Sequence, residues 1–292
     1  MSESSGKKFR TVLERNTPLQ IVGTVNAYSA ILAKSVGFEA IYVSGGALSA
    51  VSYGMPDLGI IDLNDVLIDV NRITNAVDIP VIVDIDTGFG DAFGISRTIK
   101  SMIKVGAAGI HIEDQVSQKR CGHRPNKQLV SSEEMCDRLV IADNQRLKLD
   151  PDFYLIARTD AIASEGVEKA VERALAYQNC GVDAIFVEAC QSLADYKLFT
   201  EALDIPVLAN ITEFGSTPLF TVTELSSVNV GIILYPFTAT RMMNQSALEA
   251  YKVVKNQGTQ KEIIQKMQTR EELYNYLGYH KYEDYLDGIF EK

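Results

Sequence analysis

Short apolar runs recur along the chain, each too brief for a helix and each rich in β-branched residues. Eight can be read in order: QIVGTVNA (20–27), AIYVSG (40–45), VIVDID (81–86), GIHIED (109–114), YLIARTD (154–160), AIFVEA (184–189), PVLANI (206–211) and GIILYP (231–236). Their apolar character is continuous rather than alternating, which is the pattern of strands covered on both faces in a parallel sheet. Between the runs the period changes to that of a helix. Leu63, Val66, Leu67, Val70, Ile73 and Val77 fall on one stripe across 62–77. Val167, Ala170, Val171, Ala174 and Leu175 do the same across 166–180, with Gly181 placed to cap the C-terminus. Ser131 and Glu134 have the spacing of a capping box for a helix that follows them. Eightfold alternation of strand and helix predicts an α/β fold, a (β/α)8 barrel of the TIM type. A doubly wound open sheet is the alternative, disfavoured by eight regular units and the absence of GxGxxG. No linker divides the chain, so residues 1–292 read as one barrel domain with 259–292 as a C-terminal helical extension.

The ends of the runs are more informative than their middles. Toward the C-terminal ends stand Asn26; Ser44 with Gly45 and Gly46; Asp84 and Asp86; His111, Glu113 and Asp114; Arg158 and Asp160; Glu188; Asn210 and Thr212. In a barrel these ends converge on one mouth, where the βα loops build the site. Ordinary strand termini and helix caps account for some of them, but not for seven polar ends out of eight.

Charge narrows the classes of partner. A formal net charge of −10 argues against nucleic acid, whose phosphates need a basic face. No run of about 18 apolar residues offers a membrane span, and MSESSGKKFRTVLERN has no apolar core of a signal peptide. Four cysteines, at 121, 136, 180 and 190, show neither CxxC pairs nor a disulfide framework. These features predict a cytoplasmic protein.

Against that acidic background, QKRCGHRPNK (118–127) gathers Lys119, Arg120, His123, Arg124 and Lys127 around Cys121 and Gly122. Adjacent cations are expected to lower a thiol's pKa from its free value near ~8.5. A thiol so poised can act as nucleophile or as general acid or base. Asp84 and Asp86 are two apart on a strand pattern, hence on one face, and repel unless a cation lies between them. With Glu113 and Glu188 at neighbouring strand ends, an all-oxygen cluster points to a hard cation, Mg²⁺ or else Mn²⁺. Arg158, Arg241 and Arg270 offer planar forks for carboxylates, and Asn210 and Thr212 add uncharged donors. Together these groups suit a small di- or tricarboxylate whose carbon skeleton is remade.

Several stretches carry a resemblance. SGG (44–46), VDIDTGFG (83–90), GIHIEDQ (109–115), KRCGHRPNK (119–127), ARTDA (157–161) and NITEFGSTP (210–218) resemble the isocitrate lyase and phosphoenolpyruvate mutase superfamily, specifically its methylisocitrate lyase branch. The similarity spans roughly 7 to 290; isocitrate lyases proper usually carry KKCGH and long insertions, which this chain lacks. The resemblance implies Mg²⁺-dependent cleavage of 2-methylisocitrate into pyruvate and succinate, a step of the methylcitrate cycle in propionate catabolism. Carried onto matching positions, Ser44, Gly45 and Gly46 hold the pyruvate half, and Asp84 and Asp86 hold the metal with Glu113 close by. Cys121 and Gly122 sit at the succinate half, Cys121 as the acid that protonates the departing carbanion. Arg158, Glu188, Asn210, Ile211, Thr212, Arg241 and Arg270 match substrate-contacting positions, and Glu188, Arg158 or a metal-bound water is offered for the hydroxyl proton. The aromatics Tyr274, Tyr276, Tyr279, Tyr282, Tyr285 and Phe290 lie past the last strand and need a cover. By resemblance, that cover is a C-terminal helix exchanged between subunits of a homotetramer, and the Cys121 loop is a lid. The competing readings are another reaction of the superfamily, a silent carboxylate-binding barrel, and a thiol hydrolase using Cys121 and His123.

Overall fold

All eight apolar runs are strands, and they close on themselves. The computed structural model describes residues 3–290. The strands are β1 (Leu19–Gly23), β2 (Ile41–Val43), β3 (Val81–Asp84), β4 (Gly109–Glu113), β5 (Tyr154–Thr159), β6 (Ala184–Val187), β7 (Val207–Asn210) and β8 (Ile232–Tyr235). Each pairs in parallel with its sequence neighbour, and β1 pairs with β8, Leu19 opposite Ile232, to complete the barrel.

Continuous burial along the strands has the expected cause: two separate cores use alternate residues. Tyr42, Ile82, Tyr154, Ile156, Phe186, Leu208, Ile232 and Leu234 fill the barrel interior. Ile41, Val43, Val81, Val83, Ile110 and Ile112 face outward and pack with helix residues such as Val66, Val70, Ile73 and Leu139. A helix that the apolar pattern did not announce, Ser5–Arg15, adds Phe9 to the inner cluster, its ring 4.7 Å from that of Tyr154.

The expected helices form with small differences. Asp62 caps Leu63–Ala76 through a reciprocal pair with Asp65. The second helix runs Val167–Gln178 and ends at Asn179, not Gly181; Gly181 is two residues further on, at φ +89°. At Ser132–Leu149 only half of the capping box is made. Ser131 accepts from the Glu134 N–H, but the Glu134 carboxylate turns to Arg138 at 2.7 Å, an ion pair four residues along the helix that competes for the same side chain.

The chain divides into two compact units, the first ending at Thr238 and the second beginning at Ala239. The second contains Thr238–Gln257 in large part, a short 3₁₀ turn at Lys261–Lys266, and the helices Arg270–Leu277 and Tyr279–Phe290. Neither of these last two helices buries a residue, and Tyr282, Tyr285 and Phe290 are 70%, 70% and 80% exposed. Among the described residues, no helix is long and apolar enough to cross a membrane.

Candidate active site

The strand ends deliver their polar groups to one mouth, and the backbone there leaves ordinary geometry. Asp86, Phe89, Asn126, Ala189 and Phe214 all have positive φ, between 50° and 65°, and all follow the C-terminal ends of strands. Such conformations are costly for residues with a Cβ and concentrate where side chains are aimed for a purpose. Asp84 and Asp86 illustrate this. Their convergence does not come from strand alternation, because β3 stops at Asp84. Instead Asp86, at φ 50°, folds back so that its N–H donates to Asp84 Oδ1 at 3.0 Å.

The two carboxylates meet over Gly45. Its N–H donates to Asp84 Oδ2 at 3.0 Å, and a Cβ there would lie 3.2 Å from Asp84 Oδ2 and 3.3 Å from Asp86 Oδ1. Ser44 caps the helix Gly45–Ser52, so the first turn of that helix opens beside the acidic pair. Burial works against ionising Asp84, yet His111, Lys119 and Arg158 outweigh it and hold the carboxyl down at about 2. Burial and then Asp84 push Asp86 the other way, to about 7, against the pull of Lys119. Glu113, also buried, is raised well above the usual carboxylate range, and its Oε1 has no hydrogen-bond partner. His111, pushed down to about 4 by burial, is neutral and stacks on Tyr42 while meeting its hydroxyl at 2.8 Å. Two converging carboxylates that cannot both ionise comfortably, with a third under-used beside them, fit a small hard cation completed by water or substrate oxygens. Among the described residues, no group of three or more His, Cys, Asp or Glu side chains is arranged to hold a metal ion.

The basic loop explains itself differently from the sequence expectation. Lys119 pairs with Asp57 at 2.7 Å and with Asp86; His123 Nε2 meets Glu188 Oε1 at 3.0 Å; Lys127 pairs with Asp160 at 2.7 Å. Three of the five basic groups are therefore taken by protein carboxylates, while Arg120 and Arg124 are exposed. Gln115 secures the base of the loop, accepting from the Arg120 N–H and donating to its carbonyl, both at 2.9 Å. The loop is seated on the mouth. A Cβ on Gly122 would come within 2.3 Å of Arg158 Nη2 and 2.7 Å of Glu188 Cγ, so glycine is what allows this approach.

Cys121 is consequently not the thiolate that its neighbours in sequence suggest. Burial raises its pKa, Asp57 and Glu188 add to the rise, and the His123 N–H and Arg158 offset only part of it. At neutral pH the sulfur holds its proton. That suits an acid and not a resting nucleophile. His123 is not its base: Nδ1 accepts from the Ser216 N–H at 3.2 Å, which puts the ring proton on Nε2 facing Glu188. Nε2 lies 3.0 Å from Glu188 Oε1 without making a hydrogen bond, and neither ring nitrogen is bonded to Cys121, so no Cys–His dyad is formed.

Arg158 lies at the centre of the other subsite. Its guanidinium meets Asp160 at 2.9 Å, Glu113 at 3.3 Å and Glu188 at 3.3 Å, and stacks 4.9 Å from the Phe186 ring. Burial would lower its pKa, but Asp160, Glu113 and Glu188 raise it well above the usual value, so it cannot accept a proton. Asn210 donates to Glu188 Oε2 at 3.1 Å and leaves its own Oδ1 without a hydrogen-bond partner; Ile211 and Thr212 follow it, buried. Arg241 and Arg270 belong to the second unit, in the helices Thr238–Gln257 and Arg270–Leu277. Asp57 escaped the sequence reading, and Lys119, Lys127 and Asp160 were named there without their ion-pair roles. The ARTDA stretch held a clue to Asp160, since a carboxylate two residues after a buried arginine can fold back to it. Nothing local marked Asp57.

Comparison with known proteins agrees with this geometry. The phosphoenolpyruvate phosphomutase family matches residues 9–255. The chain is 54% identical over 298 residues to the 2-methylisocitrate lyase of Vibrio cholerae, covering 100% of this chain and 96% of that one. Among solved structures, 2,3-dimethylmalate lyase superposes with a TM-score of 0.90 at 31% identity, covering 97% of this chain and 95% of the other. A phosphonopyruvate hydrolase solved with oxalate and Mg²⁺ gives a TM-score of 0.84 at 26% identity, with 97% and 98% coverage.

Proposed function

The chain belongs to the phosphoenolpyruvate phosphomutase family, and from that premise we propose that it is a carbon–carbon lyase cleaving 2-methylisocitrate into pyruvate and succinate. The observation that carries this reading is the seating of a turn with a protonated thiol, Cys121–Gly122, on the Arg158–Glu188 pair, while two aspartates converge at Gly45. Cleavage needs one end of the substrate relieved of a hydroxyl proton and the other end supplied with one. Mg²⁺, or Mn²⁺ in its place, held by Asp84 and Asp86 with Glu113 near, supplies polarisation of the hydroxyl and forming keto oxygens when bound. Ser44, Gly45 and Gly46 line the place for the pyruvate half, beside the Asp84 carboxylate that the Gly45 N–H holds. Cys121 delivers its proton to the carbanion of the succinate half, and Gly122 lets the turn approach. Arg158 stays charged and steadies developing negative charge. Arg158, permanently charged, does not take the hydroxyl proton, which leaves Glu188 or a water for that role. Asn210, Ile211 and Thr212 complete the hold on the carboxylates.

The reading places the protein in the cytoplasm, in the methylcitrate cycle of propionate catabolism. The direct test is to incubate it with 2-methylisocitrate, isocitrate and phosphonopyruvate, with and without Mg²⁺, and follow products by NMR. Pyruvate and succinate should appear from the first substrate, stop on chelation, and resume when Mg²⁺ is restored. Their absence in the metal-loaded enzyme rejects the reaction. A slower reaction of isocitrate is compatible, since one methyl is worth only about 1–3 kcal/mol in discrimination.

We further propose a homotetramer in which the C-terminal helices pack on a second copy. The support is the unburied aromatic series Tyr276, Tyr279, Tyr282, Tyr285 and Phe290, more apolar surface than a free helix pair ordinarily leaves in water. Sedimentation equilibrium should give four times the 32.2 kDa chain mass; a monomer at micromolar concentration would contradict this.

A further inference from the structure

Lys127 is a buried cation that the proposed chemistry does not use. Its side chain is 2% exposed, and that of its partner Asp160 is 0%. The Lys127 ammonium donates to the Gly122 carbonyl at 2.6 Å and to Asp160 Oδ1 at 2.7 Å. That same oxygen accepts from Arg158 Nη2 at 3.1 Å, and Asp160 Oδ2 accepts from Arg158 Nε at 2.9 Å. One carboxylate thus holds both the lysine that grips the Cys121–Gly122 turn and the arginine on which that turn rests. Asp160 is itself braced. Its N–H donates to Asp114 Oδ1 at 2.9 Å, while Asp114 Oδ2 accepts from the Thr159 hydroxyl at 2.8 Å and the Tyr177 hydroxyl at 2.9 Å. The brace joins the end of β4 (Asp114) to the end of β5 (Thr159, Asp160) and to Tyr177 of the helix Val167–Gln178. Lys127 belongs to the loop itself, five residues after Gly122.

We propose that Lys127 is a positioning residue, which ties seating of the Cys121–Gly122 turn to the aim of Arg158 through their shared Asp160 carboxylate. The inference deepens the lyase reading and, for turnover, rests on it. A fixed charge in a dry site is a poor partner for nothing, and a carbonyl stripped of its donor costs as much again. Losing the lysine therefore releases the turn first. Lys119 and His123 still fasten the loop to Asp57, Asp86 and Glu188, so the effect is local opening and not loss of the barrel.

The test compares Lys127→Met, similar in length but uncharged, and Lys127→Arg with the wild-type chain. Alkylation at Cys121, located by peptide mass spectrometry, should speed up at least about tenfold in Lys127→Met, the equivalent of one lost charge-assisted hydrogen bond. Amide exchange should rise across 117–128 and stay unchanged in the strands. In the same variant kcat should fall by a factor of about 10 to 100 with KM within about threefold, because misplacement acts on the reacting geometry. Lys127→Arg should recover most of both effects. If Cys121 reactivity and kcat in a folded Lys127→Met protein both stay within about twofold of wild type, the proposal is overturned. It is likewise overturned if activity falls with no change at Cys121 or in exchange across 117–128. Lys127→Gln is read by the same criteria if the methionine variant does not fold. Should the wild-type chain lack lyase activity, the reaction is rejected while the alkylation and exchange measurements still decide the role of Lys127.

Discussion

Serine in place of Cys121 should leave a protein that binds substrate and barely turns it over. We expect kcat to fall by about 10³-fold, within the span of a lost general acid, while calorimetric affinity for substrate changes by less than about threefold. The argument rests on the proton. Burial, Asp57 and Glu188 keep it on the sulfur, so at neutral pH the group is an acid ready to give. A hydroxyl fills nearly the same space but is a far weaker acid. Binding depends on other groups and survives. A Cys121→Ser enzyme working at near wild-type rate would remove the thiol from the mechanism.

Gly122→Ala should be almost as damaging through sterics alone. The added methyl would stand 2.3 Å from Arg158 Nη2 and 2.7 Å from the Glu188 side chain, both anchored in buried ion pairs that cannot retreat freely. The turn must lift instead, moving Cys121 away from its target by something near an ångström. A displacement of that order costs about 10²-fold in rate. The expected result is a drop of about that size in kcat/KM, with an unchanged thermal midpoint and faster alkylation of Cys121. Wild-type kcat/KM in Gly122→Ala would mean that the turn does not need its seat on Arg158 and Glu188.

The eight strands were readable because burial on both faces imposes a local composition, and every one of the eight apolar runs became a barrel strand. Their polar ends were readable for a related reason: hydrophilic groups interrupt such runs only where the strand leaves the core. The helix Ser5–Arg15 was not, since only Gly6, Phe9 and Val12 are buried on it and three positions make no convincing stripe. The capping box at Ser131 failed in part because Glu134 has a second partner within the helix, Arg138.

Around the site the errors have one cause. Asp84 and Asp86 were correctly paired but for the wrong reason, since a left-handed residue rather than strand alternation brings them together. The loop cations were expected to meet a substrate and to ionise the thiol; Lys119, His123 and Lys127 instead meet Asp57, Asp86, Glu188 and Asp160. Sequence by itself determined the barrel and which residues crowd its mouth, because periodicity and the cost of burying polar groups act between near neighbours. Only the tertiary structure decided which charge faces which, and whether the thiol keeps its proton. Those outcomes depend on distances of a few ångströms between strand ends and loops far apart in the chain, and on how much water is excluded where they meet.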